Sequence, residues 1–379
     1  MIASAPRRFV IGLLLTLTLT ILPFTLWIGR LAALGEVFAY GAPRGTVELH
    51  GTWFATDWRR YKLEQAKMEA PQLLVLGASA VQEFRSFMFP GCEGPGCFYN
   101  AAGAARPIGA ARDVFAALSA EHPPRVLLLG LDYWQFNPEI QSAEGGPDRR
   151  PGPEVDYAIA VARSLLPLLV EDQRVRDVVL GRAPIPPRRR GLEAIVHGAG
   201  FRPDGSFAYP ASELAKVSAQ TPLQRDEGTR TLVNDGIGVY VRFSDPDPAV
   251  VADLEELLDL ARRRGTTVVG FSNPVGDSVA DAIAATPGTA AGFAAVRDTL
   301  VSVFARRGIP FVTVERTSEV GCGGEERWDG FHYSEVCTAR LLARILDDPA
   351  ARARMSPYTS SSYLTGLVSR RVGPLQLVP

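Results

Sequence analysis

The chain has 379 residues, 46% of them hydrophobic, enough for one large domain or two small ones with packed cores. Its formal net charge is -1, so no global field favours nucleic acid or an acidic polymer, and nucleic acid is set aside as a partner. No internal repeat and no long low-complexity tract interrupts it.

The first element is an uncharged run from Phe9 to Ile28. A helix of about 20 residues spans about 30 Å, the hydrocarbon thickness of a bilayer. Arg7 and Arg8 precede the run, which keeps that end cytoplasmic and puts the rest in a periplasmic or extracellular space. A cleaved signal peptide is the rival reading. Its apolar region usually covers about 7–15 residues and ends at a small-residue site. This run is longer, and no clean Ala-x-Ala follows it. The expectation is a transmembrane anchor over residues 1–30, single-pass in the inner (cytoplasmic) membrane. A membrane-proximal connector follows over 31–70, helical around Asp57 to Lys67.

Alternating elements begin at residue 71. Leu73 to Leu76 reads as a strand ending at Gly77, followed by a short helix from Ala80 to Phe87. A second strand carries Phe98 and Tyr99 and ends at Asn100-Ala101-Ala102-Gly103. A helix from about Ile108 to Ala120 leads to a third strand, Val126 to Leu131. This continuous apolar run is the pattern of a strand covered on both faces. Regularity lapses over about 137–248, a stretch long enough to be a lid or a small subdomain. It contains a helical segment from Tyr157 to Val170 and the loop Pro184 to Arg190. The pattern resumes with a helix from Ala249 to Arg264, a strand from Thr267 to Phe271 and helical residues to Arg307. A strand from Pro310 to Val314 and a helix from Ser334 to Leu346 complete it. Strands alternating with helices predict an α/β fold with a doubly wound parallel sheet over 71–350, leaving 351–379 as a tail. No Gly-x-Gly-x-x-Gly follows the first strand, which argues against a dinucleotide-binding domain.

Four cysteines, Cys92, Cys97, Cys322 and Cys337, fit an oxidising compartment and two disulfides. Four cysteines allow three pairings. Cys92 and Cys97 enclose a Glu-Gly-Pro-Gly turn, and Cys322 and Cys337 bracket a loop of about 15 residues, which favours those two pairs. The spacing lacks the tight Cys-x-x-Cys of a zinc site, so no metal is assigned, and nothing in the chain calls for a cofactor.

The chemistry gathers at strand ends, where open α/β sheets bind ligands. Ser79 follows the first strand, positioned as a nucleophile. Asp329-Gly330-Phe331-His332 places a carboxylate three residues before a histidine, so that the base carries its own orienting group. Ser79, His332 and Asp329 supply the parts of a Ser-His-Asp acyl-transfer site. Asn100 to Gly103, Asp132 and Asn273 fall at the same edge. Tyr133, Trp134 and Phe136 either stack on sugar rings there or pack under the insertion. His50, His122 and His197 stand outside any motif and read as surface or connector residues. Arg188 to Arg190 read as a solvated loop.

These blocks resemble the SGNH/GDSL hydrolase superfamily. Gly77-Ala78-Ser79 is similar to its first block, Asn100-Ala101-Ala102-Gly103 to its second, Gly130-Leu131-Asp132 to its third and Asp329-Gly330-Phe331-His332 to its last. The resemblance covers about residues 70–346, apart from the insertion. It implies an α/β/α SGNH-like sandwich with Ser79, His332 and Asp329 as the triad. Backbone N–H groups of Ser79 and Gly103 would serve the oxyanion, and Asn100, Trp134 and Asn273 would line the substrate. It departs from the pattern in Ala78, where the family often has Asp or Ser, and in Asp132, where the third block normally ends in asparagine. An ionised carboxylate would repel an oxyanion. Asp132 is therefore protonated in an apolar setting, points away, or caps a loop, with Asn137 a possible substitute donor.

With its expected anchor the layout is similar to envelope proteins of teichoic-acid D-alanylation and of alginate O-acetylation. That likeness implies a membrane-tethered, exported serine O-acyltransferase or esterase. Its substrate would be an acylated envelope or exopolysaccharide carbohydrate, and its partner a multi-span membrane O-acyltransferase. The alternative is a non-catalytic carbohydrate-binding or scaffolding subunit, to which the altered third block points.

Overall fold

A computed structural model of the chain describes residues 5–37, 45–53, 58–103, 108–143 and 154–377. Two compact units divide the chain: Met1–Ala55 with Arg150–Gly200, and Thr56–Arg149 with Phe201–Pro379. The long insertion is therefore shared between them. Asp57, where the connector's helix was expected to begin, lies outside the described residues.

In the first unit helix α1 (Ala5–Leu34) holds the uncharged run. Leu31, Leu34 and Val37 pack with Ala162, Val175, Val178, Leu192 and Ile195. Trp27 Nε1 donates to the Ala162 carbonyl at 3.0 Å, and the Arg30 guanidinium donates to the carbonyls of Val178 and Val179 at 2.8 and 2.9 Å. The buried Glu36 carboxylate accepts from the N–H groups of Trp53 and Leu192. Toward its N-terminus α1 turns apolar side chains outward, among them Phe9, Leu15, Leu19 and Leu22. No single helix among the described residues is long and apolar enough to cross a membrane, Ile21–Leu34 being a shorter apolar helix. His50, expected at the surface or in a connector, is buried, and burial pulls its imidazole down to about 3.

The second unit is built on a five-stranded, all-parallel sheet. Its strands are β1 (Leu73–Leu76), β2 (Phe98–Asn100), β3 (Val126–Leu131), β4 (Thr267–Ser272) and β5 (Phe311–Val312), in the order β2-β1-β3-β4-β5. Alternation decides which side chain meets which layer. Leu73, Val75, Val126, Leu128, Val269 and Phe271 face one cluster, completed by α7 (Glu335–Ile345) and α8 (Ser361–Ser369). Leu74, Leu76, Leu127, Leu129 and Val268 face the other, with α3 (Ile108–Ser119), α5 (Pro248–Arg263) and α6 (Pro287–Arg306). Fully burying one such side chain contributes about 1.5–3 kcal/mol, which explains the unbroken apolar runs. The strand order reverses between β1 and β3, and an open parallel sheet leaves its crevice beyond the carboxyl ends at such a reversal.

Three local readings change. Residues 351–377, expected as part of a C-terminal tail, are packed: Leu364, Val368 and Leu377 sit in the core with α8. The helix expected within the connector is present as α2 (Trp58–Glu69), but it belongs to this second unit. The expected helix from Ala80 to Phe87 is replaced by two 3-10 turns, Ser79–Val81 and Ser86–Met88. The carbonyls of Val81 and Phe84 are taken by the Asn100 side-chain amide at 2.8 and 3.0 Å, and the Ser86 N–H by Asp204. Helical hydrogen bonds lose the competition there.

Cys92–Cys97 and Cys322–Cys337 are both disulfides, with Cα atoms 5.2 Å apart in each. They suggest an extracytoplasmic location for this unit.

Candidate active site

Ser79 is placed by two glycines. A Cβ on Gly77 would lie 2.8 Å from the Gly130 carbonyl and from Val81; one on Gly130 would lie 2.4 Å from Val81. Only bare Cα positions let the ends of β1 and β3 close over Val81 and start the turn that carries Ser79. Beneath that turn Arg85 pairs with Glu335 and lies 3.5 Å from Asp204. Lys62, fully buried, donates to the carbonyls of Asn100 and Gly205.

His332 meets Ser79 directly: Nε2 lies 2.8 Å from Ser79 Oγ, and Nδ1 lies 2.7 Å from Asp329 Oδ2. The other Asp329 oxygen accepts the N–H groups of Phe331 and His332 at 2.9 and 2.8 Å. Burial pushes the Asp329 carboxyl up, but His332 and the backbone donors outweigh it and hold the group below the ordinary carboxylate range. An ionised Asp329 fixes the proton on Nδ1 and leaves Nε2 free to take the serine proton.

The loop that carries this pair is tied from many sides. Arg327 makes a buried two-point contact with Asp226, at 2.6 and 3.1 Å, and also donates to the Asp329 carbonyl. Arg225 donates to the carbonyls of Glu325 and Arg327, both at 2.8 Å. Arg225 and Asp226 lie on α4 (Pro222–Asp235), inside the insertion. The Gly330 carbonyl accepts from the Gly276 N–H, and the Trp328 N–H donates to the His332 carbonyl. The Cys322–Cys337 bridge closes the loop, and Arg340 grips Glu326 at 3.0 and 3.1 Å. Arg225, Asp226 and Arg327 had no signal in the sequence, since lone charges in an irregular stretch read as solvated.

Several expected site residues do other work. The Gly103 N–H donates to the Gly77 carbonyl at 3.0 Å, so it is not free to serve an oxyanion. Asn100 is fully buried and spends its amide on Val81, Phe84 and Ala102; it holds the Ser79 turn and has no exposed surface to offer a substrate. Asn137 is also fully buried, donating to the Val241 carbonyl and accepting from the Glu139 N–H, which removes it as a substitute donor. Trp134 is half-buried on a 3-10 turn, while Tyr133 and Phe136 of the same turn are in the core. Asn273 follows β4 directly, and its Nδ2 donates to Asp132 Oδ1 at 3.0 Å. Burial pushes the Asp132 carboxyl up to about 6, against the pull of the Asn273 hydrogen bond and of nearby His332.

No protein-family model matches the chain, and no curated protein matches it.

Proposed function

We propose that the second unit is a serine acyl-transfer enzyme of SGNH type, an esterase or O-acyltransferase that acts on envelope or exopolysaccharide carbohydrate. The observation that carries this reading is the continuous chain Ser79 Oγ, His332 Nε2, His332 Nδ1, Asp329 Oδ2, with links of 2.8 and 2.7 Å. Such links are within the reach that proton transfer requires. Ser79 Oγ bonds to the acyl carbon and passes its proton to His332. The tetrahedral adduct then collapses, and the leaving alcohol takes that proton. Water or a sugar hydroxyl, deprotonated by the same histidine, releases the acyl group from Ser79. No metal is required by this sequence of steps.

The same reading places the chain at the cytoplasmic membrane with the second unit outside, alongside a multi-span O-acyltransferase that supplies acyl groups. The uncharged run in α1, its outward apolar side chains and the two disulfides support that arrangement.

Release of acetate from an O-acetylated polysaccharide, or its transfer to a second saccharide, tests the chemistry. Activity that depends on Ser79 is expected. Activity that survives Ser79→Ala would refute the assignment.

A further inference from the structure

Among the described residues the Ser79 N–H has no acceptor, and it is the natural first donor to an oxyanion. A second donor has to come from elsewhere, because the Gly103 N–H is bonded to Gly77 and Asn137 is occupied. Strands β1 and β3 pair in register, with Leu76 opposite Leu129. Ser79 and Asp132 lie three residues beyond those partners, at the same sheet edge, and Asp132 is close enough to His332 to feel its charge.

The Asp132 carboxyl is half satisfied. Its Oδ1 accepts from Asn273 Nδ2 at 3.0 Å; its Oδ2 is shut off from solvent and has no hydrogen-bond partner among the described residues. Besides His332 and Asp329, the ionisable groups that share its neighbourhood are Tyr133 on its own turn, Tyr240 from the insertion and Tyr333 beside the histidine. None of the three is a cation. An ionised Oδ2 in that place would be a bare buried charge, which is costly, whereas a protonated Oδ2 is a donor awaiting an acceptor.

We propose that Asp132 works as a neutral carboxylic acid whose Oδ2–H, together with the Ser79 N–H, donates to the substrate's carbonyl oxygen as it becomes an oxyanion. Asn273 is the positioning residue: its amide occupies Oδ1 and thereby leaves the proton on Oδ2. The carboxyl proton stays on Asp132 throughout, and the proton that moves is the one exchanged between Ser79 and His332. This role rests on the reading of Ser79 as the nucleophile. A carboxylic acid donor titrates, so the oxyanion site weakens as pH rises.

The test is the rate at which a fluorophosphonate labels Ser79, followed from pH 5 to 8 in the full chain and in Asp132→Asn, Asp132→Ala and Asn273→Ala. The ratio of variant to wild-type rates cancels any pH dependence the variants share and isolates Asp132. Asparagine donates at all pH values. The ratio for Asp132→Asn should therefore climb about tenfold per pH unit above the Asp132 transition. Asp132→Ala should be slower than Asp132→Asn throughout, and Asn273→Ala should shift the pH at which the wild-type rate declines. A pH-independent Asp132→Asn ratio, with wild-type labelling intact, overturns the role of Asp132 alone. A folded wild-type chain that is never labelled overturns the acyl-transfer reading and this role with it. Circular dichroism on each variant separates loss of fold from loss of the donor.

Discussion

Ser79 stands two residues past Gly77, at the end of a strand paired in register on both sides, whereas His332 stands in a loop between β5 and α7. The serine turn inherits its position from the sheet: two glycines and a buried asparagine set it, and all of them lie within about 50 residues of it. The histidine loop inherits almost nothing from regular structure. It is held by a buried ion pair to α4, by Arg225, by a disulfide and by a contact with Gly276. One half of the site is preorganised by backbone geometry and the other by long-range polar contacts, so the two halves should fail differently.

The largest effect is expected where the halves meet. Ser79→Ala and His332→Ala should each lower acyl transfer by on the order of 10⁴-fold. The double variant should cost little more, because the pair acts as one unit. Steady-state kinetics on an acylated saccharide checks this, and additive losses would separate the two residues.

The next effect should fall on the histidine loop alone. Asp226→Ala leaves the buried Arg327 guanidinium without its carboxylate, which typically costs about 3–5 kcal/mol. Urea unfolding should show it, and activity should fall through a displaced His332 while the β1 end stays intact. The replacement of both partners by apolar residues of similar volume should recover much of the stability but not the loop's position. A comparable stability loss is expected from Cys322→Ser with Cys337→Ser, about 3 kcal/mol for a loop of this length. Loss of Cys92–Cys97, which closes a far shorter loop, should cost less.

The smallest effect is in acid. Asp329 is held below its ordinary range in the folded protein, so its contribution is complete above the unfolded value of about 3.9 and fades as pH falls through the folded one. Asp329→Asn should flatten the drop in urea midpoint between pH 6 and pH 3. A variant as acid-sensitive as the wild type would remove Asp329 from that account.

The strand ends were legible in sequence because burial on both faces demands unbroken apolar runs, as in Leu73–Leu76 and Val126–Leu131, and glycines punctuate them. Ser79, Asp329 and His332 were legible through their spacing, and both cysteine pairs through the loops they bracket. Asn100 was misassigned because a fully buried asparagine that ties down Val81 and Phe84 reads like one that faces a ligand. Gly103 was misassigned because sequence does not show whether an N–H is already spent. The contribution of α4 was invisible, since Arg225 and Asp226 become structural only when the chain returns 102 and 101 residues later to offer Arg327. The packed residues after 350 were read as a tail because their short helices follow the last strand-helix unit.

In the proposed mechanism Ser79 is activated by a histidine already in place. Fluorophosphonate treatment of the native chain at neutral pH, followed by peptide mapping, tests it most directly. A single adduct is expected on the peptide containing Ser79, absent from Ser79→Ala and strongly slowed in His332→Ala. An adduct on another residue, or labelling of Ser79 at the same rate without His332, would contradict it.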